Sequence, residues 1–130
     1  MKNFSDTDYI KSEYKKINNI FLQGKFNLVI EKTKKIIKKI PNQIPFYNLL
    51  ALSYRETNKI LSAEQILSDA LKINPNDQSL LVNLGATYRV LFEFEKSKKC
   101  FNKVLSINSK NIHALVNYAN LKRDTNKFNE

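Results

Sequence analysis

The sequence is poor in the residues that define several large protein classes. Of its 130 residues, two are glycine, three are proline, one is cysteine (Cys100) and none is tryptophan. So few glycines and prolines exclude collagen, flexible linkers and most turn-rich β folds. A single cysteine excludes a disulfide scaffold and a thiolate zinc site, and it is typical of a reducing compartment. No apolar run is long enough to span a bilayer, and the first residues lack an apolar leader, so we expect a soluble, cytoplasmic, helical protein.

The residues needed for catalysis are also scarce. His113 is the only histidine and Cys100 the only thiol, and no motif places them as base and nucleophile. Gly24 and Gly85 do not form a phosphate-binding loop, and no cluster has the spacing of metal ligands. The sequence therefore predicts no enzyme, no cofactor and no metal site.

Positive charge is abundant, with a net charge of +10. Nearly all of it is lysine, accompanied by many asparagines and isoleucines, a composition typical of an AT-rich genome. The densest run, Lys32–Lys39, falls on a helix whose exposed side we expect to be solvated, and lysines in a last turn complement the helix dipole. We therefore expect neither a nucleic-acid nor a membrane partner, and nucleic-acid binding is kept as the weaker alternative.

An internal repeat organises the chain. Pro41 and Pro75 are separated by the same interval as Tyr54 and Tyr88, which sets the period of the repeat. The units are approximately 8–41, 42–75, 76–109 and 110–130, in a single domain. In each complete unit, apolar residues at helical spacing predict two helices separated by a short turn. Asn58 is suited to that turn because asparagine tolerates the left-handed conformation.

The first and last units depart from the pattern. In the first, Tyr14, Ile17 and Phe21 lie one residue late, which predicts a turn shortened by one residue. In the last, Asn126-Lys127-Phe128 matches the turn, but the sequence stops where a second helix should begin. We therefore expect a longer protein, and self-association through the uncapped C-terminal end as a risk.

At these residues the sequence resembles the tetratricopeptide repeat (TPR) family, with about three and a half repeats. The family pattern has large residues at positions 4, 7, 11 and 24, small ones at 8, 20 and 27, and proline at 32. With Ile44 as position 1, the second unit supplies Tyr47, Leu50, Ala51, Tyr54, Ala63, Leu67, Ala70 and Pro75. The third supplies Leu81, Leu84, Gly85, Tyr88, Ser97, Phe101, Val104 and Ser109. The resemblance implies an all-α, right-handed superhelix of antiparallel helix pairs that binds extended or helical peptides along its concave groove.

Arginine occurs at one groove position only. On the helical wheel, positions 2, 5, 6, 9, 12 and 13 of the first helices face away from the packed side. Arg55, Arg89 and Arg123, the only arginines, all occupy position 12. Guanidinium groups repeated along a groove can grip carboxylates bidentately, which predicts an acidic peptide. The alternative is that duplication copied an arginine that covers apolar surface or pairs with Glu56 or Asp124.

Asparagines form a second set of candidate groove residues. Asn83 and Asn117 both occupy position 6 and are similar to the asparagines that contact peptide backbone in the TPR arrays of O-linked N-acetylglucosamine transferases. The second unit breaks this ladder, because Leu49 holds position 6 there and Asn48 has moved to position 5. Asn120 completes the candidate set. Asparagine-rich composition is the competing explanation.

The sequence thus predicts a non-catalytic scaffold for protein–protein interaction that binds an acidic peptide segment or C-terminal carboxylate. The alternative is the leading TPR region of a larger enzyme, because such arrays are often fused ahead of glycosyltransferase, sulfotransferase or methyltransferase domains.

Overall fold

The computed structural model describes residues 6–129, and these residues form helices joined by short turns. The helices are α1 (Asp6–Leu22), α2 (Phe26–Lys39), α3 (Ile44–Glu56), α4 (Ile60–Ile73), α5 (Gln78–Val90), α6 (Phe94–Ile107) and α7 (Ile112–Asn129). The predicted all-α architecture and the pairing of helices within each repeat are confirmed.

The turn inside each complete repeat is built around one left-handed residue. Gly24, Asn58 and Phe92 have φ angles of 75°, 61° and 59°. They are spaced one repeat period apart along the chain. The backbone N–H of the following residue then donates to a carbonyl in the last turn of the preceding helix, as in Lys59 to Tyr54 at 2.7 Å. These bonds satisfy carbonyl groups that a helix end leaves unpaired. The turn predicted at Asn58 is confirmed.

The polar residue at the last position of a repeat caps the first helix of the next repeat. The Asp77 carboxylate accepts a hydrogen bond from the backbone N–H of Leu80 at 2.9 Å and caps α5. The Asn111 side-chain oxygen accepts from the backbone N–H of Ala114 at 3.0 Å in the same way.

The order of contacts makes the array curved. Each helix packs against its neighbours in sequence, and α1, α3, α5 and α7 also contact one another in succession. Within the described residues, α2, α4 and α6 have no such contacts with one another. The first helices of the repeats therefore lie side by side on the inner surface, and the second helices spread apart on the outer one.

Small residues allow the close packing inside each helix pair. A Cβ atom added to Gly85 on α5 would lie 2.5 Å from the ring of the fully buried Phe101 on α6. Ser97 stands where the second unit has Ala63, and its hydroxyl donates to the Gly85 carbonyl oxygen at 2.7 Å. The departure from alanine at Ser97 thus adds a buried hydrogen bond across the same close contact.

Two expectations for the terminal repeats are wrong. The first turn, residues 23–25, is as long as the turns at 57–59 and 91–93. Instead of a shortened turn, α1 presents a different face: Ile17 is buried and the Tyr14 ring meets Phe46 of α3 edge-on, at 5.8 Å between centroids. Within the described residues α1 packs on α2 and α3, and these two helices determine which of its faces is buried.

The second error concerns the turn expected at Asn126-Lys127-Phe128. Here α7 continues as a helix to Asn129. A left-handed turn residue costs conformational energy, which in the other repeats is offset by packing of the second helix. Within residues 6–129 no helix follows α7, and continued helical hydrogen bonding takes the place of the turn.

Candidate functional site

A groove of about 570 Å³ lies on the concave side, between α3, α5 and α7. Its wall includes positions 2, 5, 6 and 9 of α5, which share one helix face. The groove is lined by Arg55, Gln78, Ser79, Val82, Asn83, Ala86, Asn111, His113 and Asn117. The face predicted from the helical wheel is therefore the face that lines the groove.

A hydrogen-bond network fixes the amide side chains on one wall of the groove. The Asn83 amide donates to the Asn48 side-chain oxygen at 2.6 Å, and the Asn48 amide donates to the Ser79 hydroxyl oxygen at 2.9 Å. The Ser79 hydroxyl in turn donates to the Asp77 carboxylate at 2.7 Å. Because Asp77 also caps α5, the network ties the groove amides to the start of the helix.

Other amides line the opposite wall. The Asn111 amide donates to the Gln78 side-chain oxygen at 2.8 Å, and Asn117 donates to the backbone oxygen of His113 at 2.7 Å. Each primary amide has a second N–H and a second acceptor site. The groove therefore offers both donors and acceptors of the kind that an extended peptide backbone requires.

Arg55 is the cationic group of this groove. It is half-buried, and among the described residues its guanidinium has neither a hydrogen bond nor a salt bridge. Burial lowers the pKa of Arg55 from its usual value; Glu56 opposes this shift and the positive charge of Arg89 adds to it. Since none of the lining residues is acidic, the groove favours an anion.

The other two arginines have different surroundings. Arg89 forms a salt bridge with Asp124 of α7, and both side chains are about one-third exposed, at 30% and 32%. Arg123 is exposed and donates to Asn120 on its own helix. Of the predicted site residues, the groove lining contains Arg55, Asn83 and Asn117, whereas Arg89, Arg123 and Asn120 are not part of it. Asn48 is not part of it either, but it forms hydrogen bonds with the lining residues Asn83 and Ser79. Ligand contact by any of them stays a prediction.

The described residues offer little reactive chemistry. Burial raises the pKa of the Cys100 thiol to about 11, although Lys103 opposes the shift, so the reactive thiolate is scarce near neutral pH. No group of three or more His, Cys, Asp or Glu side chains within this part of the chain could hold a metal ion. Likewise, none of the described helices is long and apolar enough to span a membrane.

Several lining residues were not singled out from the sequence. Ser79, Val82 and Ala86 occupy positions 2, 5 and 9, so the helical wheel that selected the arginines could also have identified them. Gln78 and Asn111 lie at the junctions between repeats. Their contribution depends on how consecutive first helices splay apart, which a single-helix wheel does not describe.

The repeat pattern now has an independent match. A sequence model described as tetratricopeptide repeat matches residues 44–77 and 78–111, two consecutive units that together make up just over half of the chain. The chain belongs to the tetratricopeptide repeat family. Proteins of this family mediate interactions with other proteins, and the TPR superhelix predicted from the sequence is confirmed.

Two curated relatives are similar to the chain over part of their length. The chain is 36% identical over 91 residues to the anaphase-promoting complex subunit CDC16 of Saccharomyces cerevisiae, covering 63% of this chain and 11% of the relative. It is 34% identical over 98 residues to the UDP-N-acetylglucosamine–peptide N-acetylglucosaminyltransferase of Giardia intestinalis, covering 74% of this chain and 6% of the enzyme. The chain thus spans only a small part of both proteins.

A solved TPR structure matches nearly the whole chain. The first TPR of Spaghetti (RPAP3), bound to the HSP90 peptide SRMEEVD, superposes with a TM-score of 0.82 at 22% identity, covering 95% of this chain and 98% of the other. At this level of identity the likeness supports the fold alone.

Proposed function

We propose that the protein is a non-catalytic TPR module that binds an acidic peptide segment, or a C-terminal carboxylate, in the groove between α3, α5 and α7. Arg55 would hold the carboxylate. The amides of Asn83 and Asn117 would meet the peptide backbone, which needs both donors and acceptors. The proposal places the protein in the cytoplasm, where the free Cys100 thiol stays reduced.

The unpaired, half-buried guanidinium of Arg55 is the observation that supports this proposal. A buried cation without an anionic partner is unfavourable, and an incoming carboxylate relieves that cost through a bidentate contact. The absence of acidic side chains from the groove lining leaves this position open to a ligand. The peptide seen in the Spaghetti complex is itself acidic, which agrees with the proposal.

A library of random heptapeptides with free C-termini tests the proposal. The labelled native chain is screened at about 0.15 M salt, and a second library with amidated C-termini separates terminal from side-chain carboxylates. We expect each selected peptide to carry an Asp or Glu side chain or to depend on the free C-terminus. Because a hydrogen bond to a charged group contributes about 1.5–3 kcal/mol, R55Q should weaken binding about tenfold or more.

Arg123 provides the matched control. R123Q removes the same charge from an exposed side chain outside the groove, so it should change affinity little. Selected peptides without acidic groups, no selection at all, or an equal loss in R55Q and R123Q would each overturn the proposal.

The match to the Giardia transferase favours a second candidate, in which these repeats are the TPR region of a larger enzyme. In that case the groove would recruit a protein substrate to a catalytic domain elsewhere. Reading the coding frame past the codon for Glu130 tests it: several hundred further codons encoding a catalytic domain would support it, and a stop codon would exclude it.

A further inference from the structure

The repeat geometry brings position 12 of one repeat against position 13 of the next. Arg89 at position 12 of the third repeat forms its salt bridge with Asp124 at position 13 of the fourth. The bond crosses from α5 to α7, which are neighbours on the inner surface. A carboxylate at position 13 can therefore occupy the arginine of the preceding repeat.

For Arg55, at position 12 of the second repeat, the corresponding position 13 of the next repeat is Val90, at the end of α5. Helices α3 and α5 have the same length and lie one repeat apart, so residue 90 is related to Arg55 as Asp124 is related to Arg89. Val90 is 48% exposed and has no acceptor to offer. This difference at position 13 explains why Arg55 is unpaired whereas its repeat equivalent is not.

We propose that Asp124 acts as a built-in carboxylate that occupies Arg89, so that the groove selects peptides presenting one carboxylate, seated at Arg55, and does not favour acidic runs. Residues 90 and 124, which lie beyond the groove lining, then determine the specificity of the groove. They act without contacting the ligand: Asp124 pairs with Arg89, and Val90 leaves Arg55 unpaired. This inference rests on the proposed peptide-binding function and adds to it the number of carboxylates recognised.

The three arginines make a direct test feasible by NMR. Each gives one side-chain Nε–Hε signal, assignable with R55K, R89K and R123K. Titration with acetate at constant ionic strength should shift the Arg55 signal of the native chain and leave the Arg89 signal unchanged. In D124N the Arg89 signal should also respond, and in V90D the Arg55 signal should stop responding.

Matched variants separate charge from structure. V90N introduces a polar side chain of similar size to V90D without its charge and should preserve the Arg55 response. D124E keeps the carboxylate and should preserve the native pattern, whereas D124A should behave as D124N. Circular dichroism melting of each variant verifies that it is folded.

The heptapeptide screen, repeated with D124N, then measures selectivity. We expect peptides with two carboxylates to gain about tenfold over those with one, relative to the native chain. If the native chain still selects acidic peptides but D124N has the same preference, this inference is wrong and the proposed function survives. If the native chain selects no acidic peptides, the proposed function itself fails. An Arg89 response to acetate in the native chain would also overturn the inference.

Discussion

At the residue scale, three identical arginines at one repeat position have three different environments. The wheel places them on one face of their helices, but it could not say which of them line the groove or which are paired. The pairing of Arg89 depends on Asp124, a residue on another helix. Comparing position 13 between repeats, Val90 against Asp124, was the available sequence signal, and it becomes informative only once the packing of consecutive first helices is known.

Cys100 provides a prediction for the pH dependence of stability. Burial raises the pKa of its thiol from 9.0 to about 11 in the folded chain. Above pH 9 the unfolded chain loses this proton while the folded chain keeps it, so deprotonation stabilises the unfolded state relative to the folded state. The contribution is fully present below pH 9 and falls as the pH rises towards 11. By pH 10.5 we expect a loss of about 2 kcal/mol in the free energy of unfolding.

Urea unfolding of the native chain and of C100A at pH 8 and pH 10.5 measures this loss. Most tyrosine and lysine titration is common to both proteins, so the difference between their pH dependences reports the thiol together with its coupling to Tyr88 and Lys103. If both proteins lose the same stability between the two pH values, Cys100 does not titrate as predicted.

At the element scale, the repeat period predicted the helix pair and the position of the turn in each complete unit, though not the length of the first turn, because the local signals repeat with the packing. Left-handed residues at Gly24, Asn58 and Phe92 illustrate this agreement. The prediction failed at Asn126 because a turn needs more than a suitable residue. It forms when the helix that follows can pack back, and this contribution is tertiary rather than local.

Phe92 is the least favourable of the three turn residues. A left-handed conformation costs a residue with a Cβ atom about 1–2 kcal/mol and costs glycine almost nothing. We therefore predict that F92G is more stable than F92A by about 1 kcal/mol, although alanine is the more stable of the two inside a helix. Both variants lose the Phe92 ring, which lies 6.0 Å from that of Phe94, so the comparison isolates the backbone.

Thermal or urea unfolding of the two variants decides the sign. The equivalent pair at Gly24 gives an independent test, since nothing lies within 4 Å of a Cβ atom added there. G24A should be less stable than the native chain by a similar free energy of unfolding, because of backbone strain alone. Equal stability of F92G and F92A would contradict the left-handed turn at this position.

At the scale of the whole molecule, the first helices of the repeats differ in whether a second helix covers their packed face. The packed faces of α3 and α5 are covered by α4 and α6, as in Gly85 against Phe101. The corresponding face of α7 borders an open depression of about 290 Å³, lined by Leu105, Leu115, Tyr118, Ala119 and Lys122. Leu115 is 47% exposed at the position where Tyr47 and Leu81 are buried.

We predict that this face makes the chain self-associate as its concentration rises. Covering an exposed leucine contributes on the order of 1–2 kcal/mol, so L115K should weaken the association about tenfold. Sedimentation equilibrium from micromolar to millimolar protein measures this association.

L61K is the matched control, because Leu61 on α4 is 69% exposed and lies away from this face. A monomer throughout the concentration range, or an equal effect of L61K, would show that α7 does not drive association. An effect of L115K alone would show that α7 presents to solvent the surface that α3 and α5 bury against their second helices.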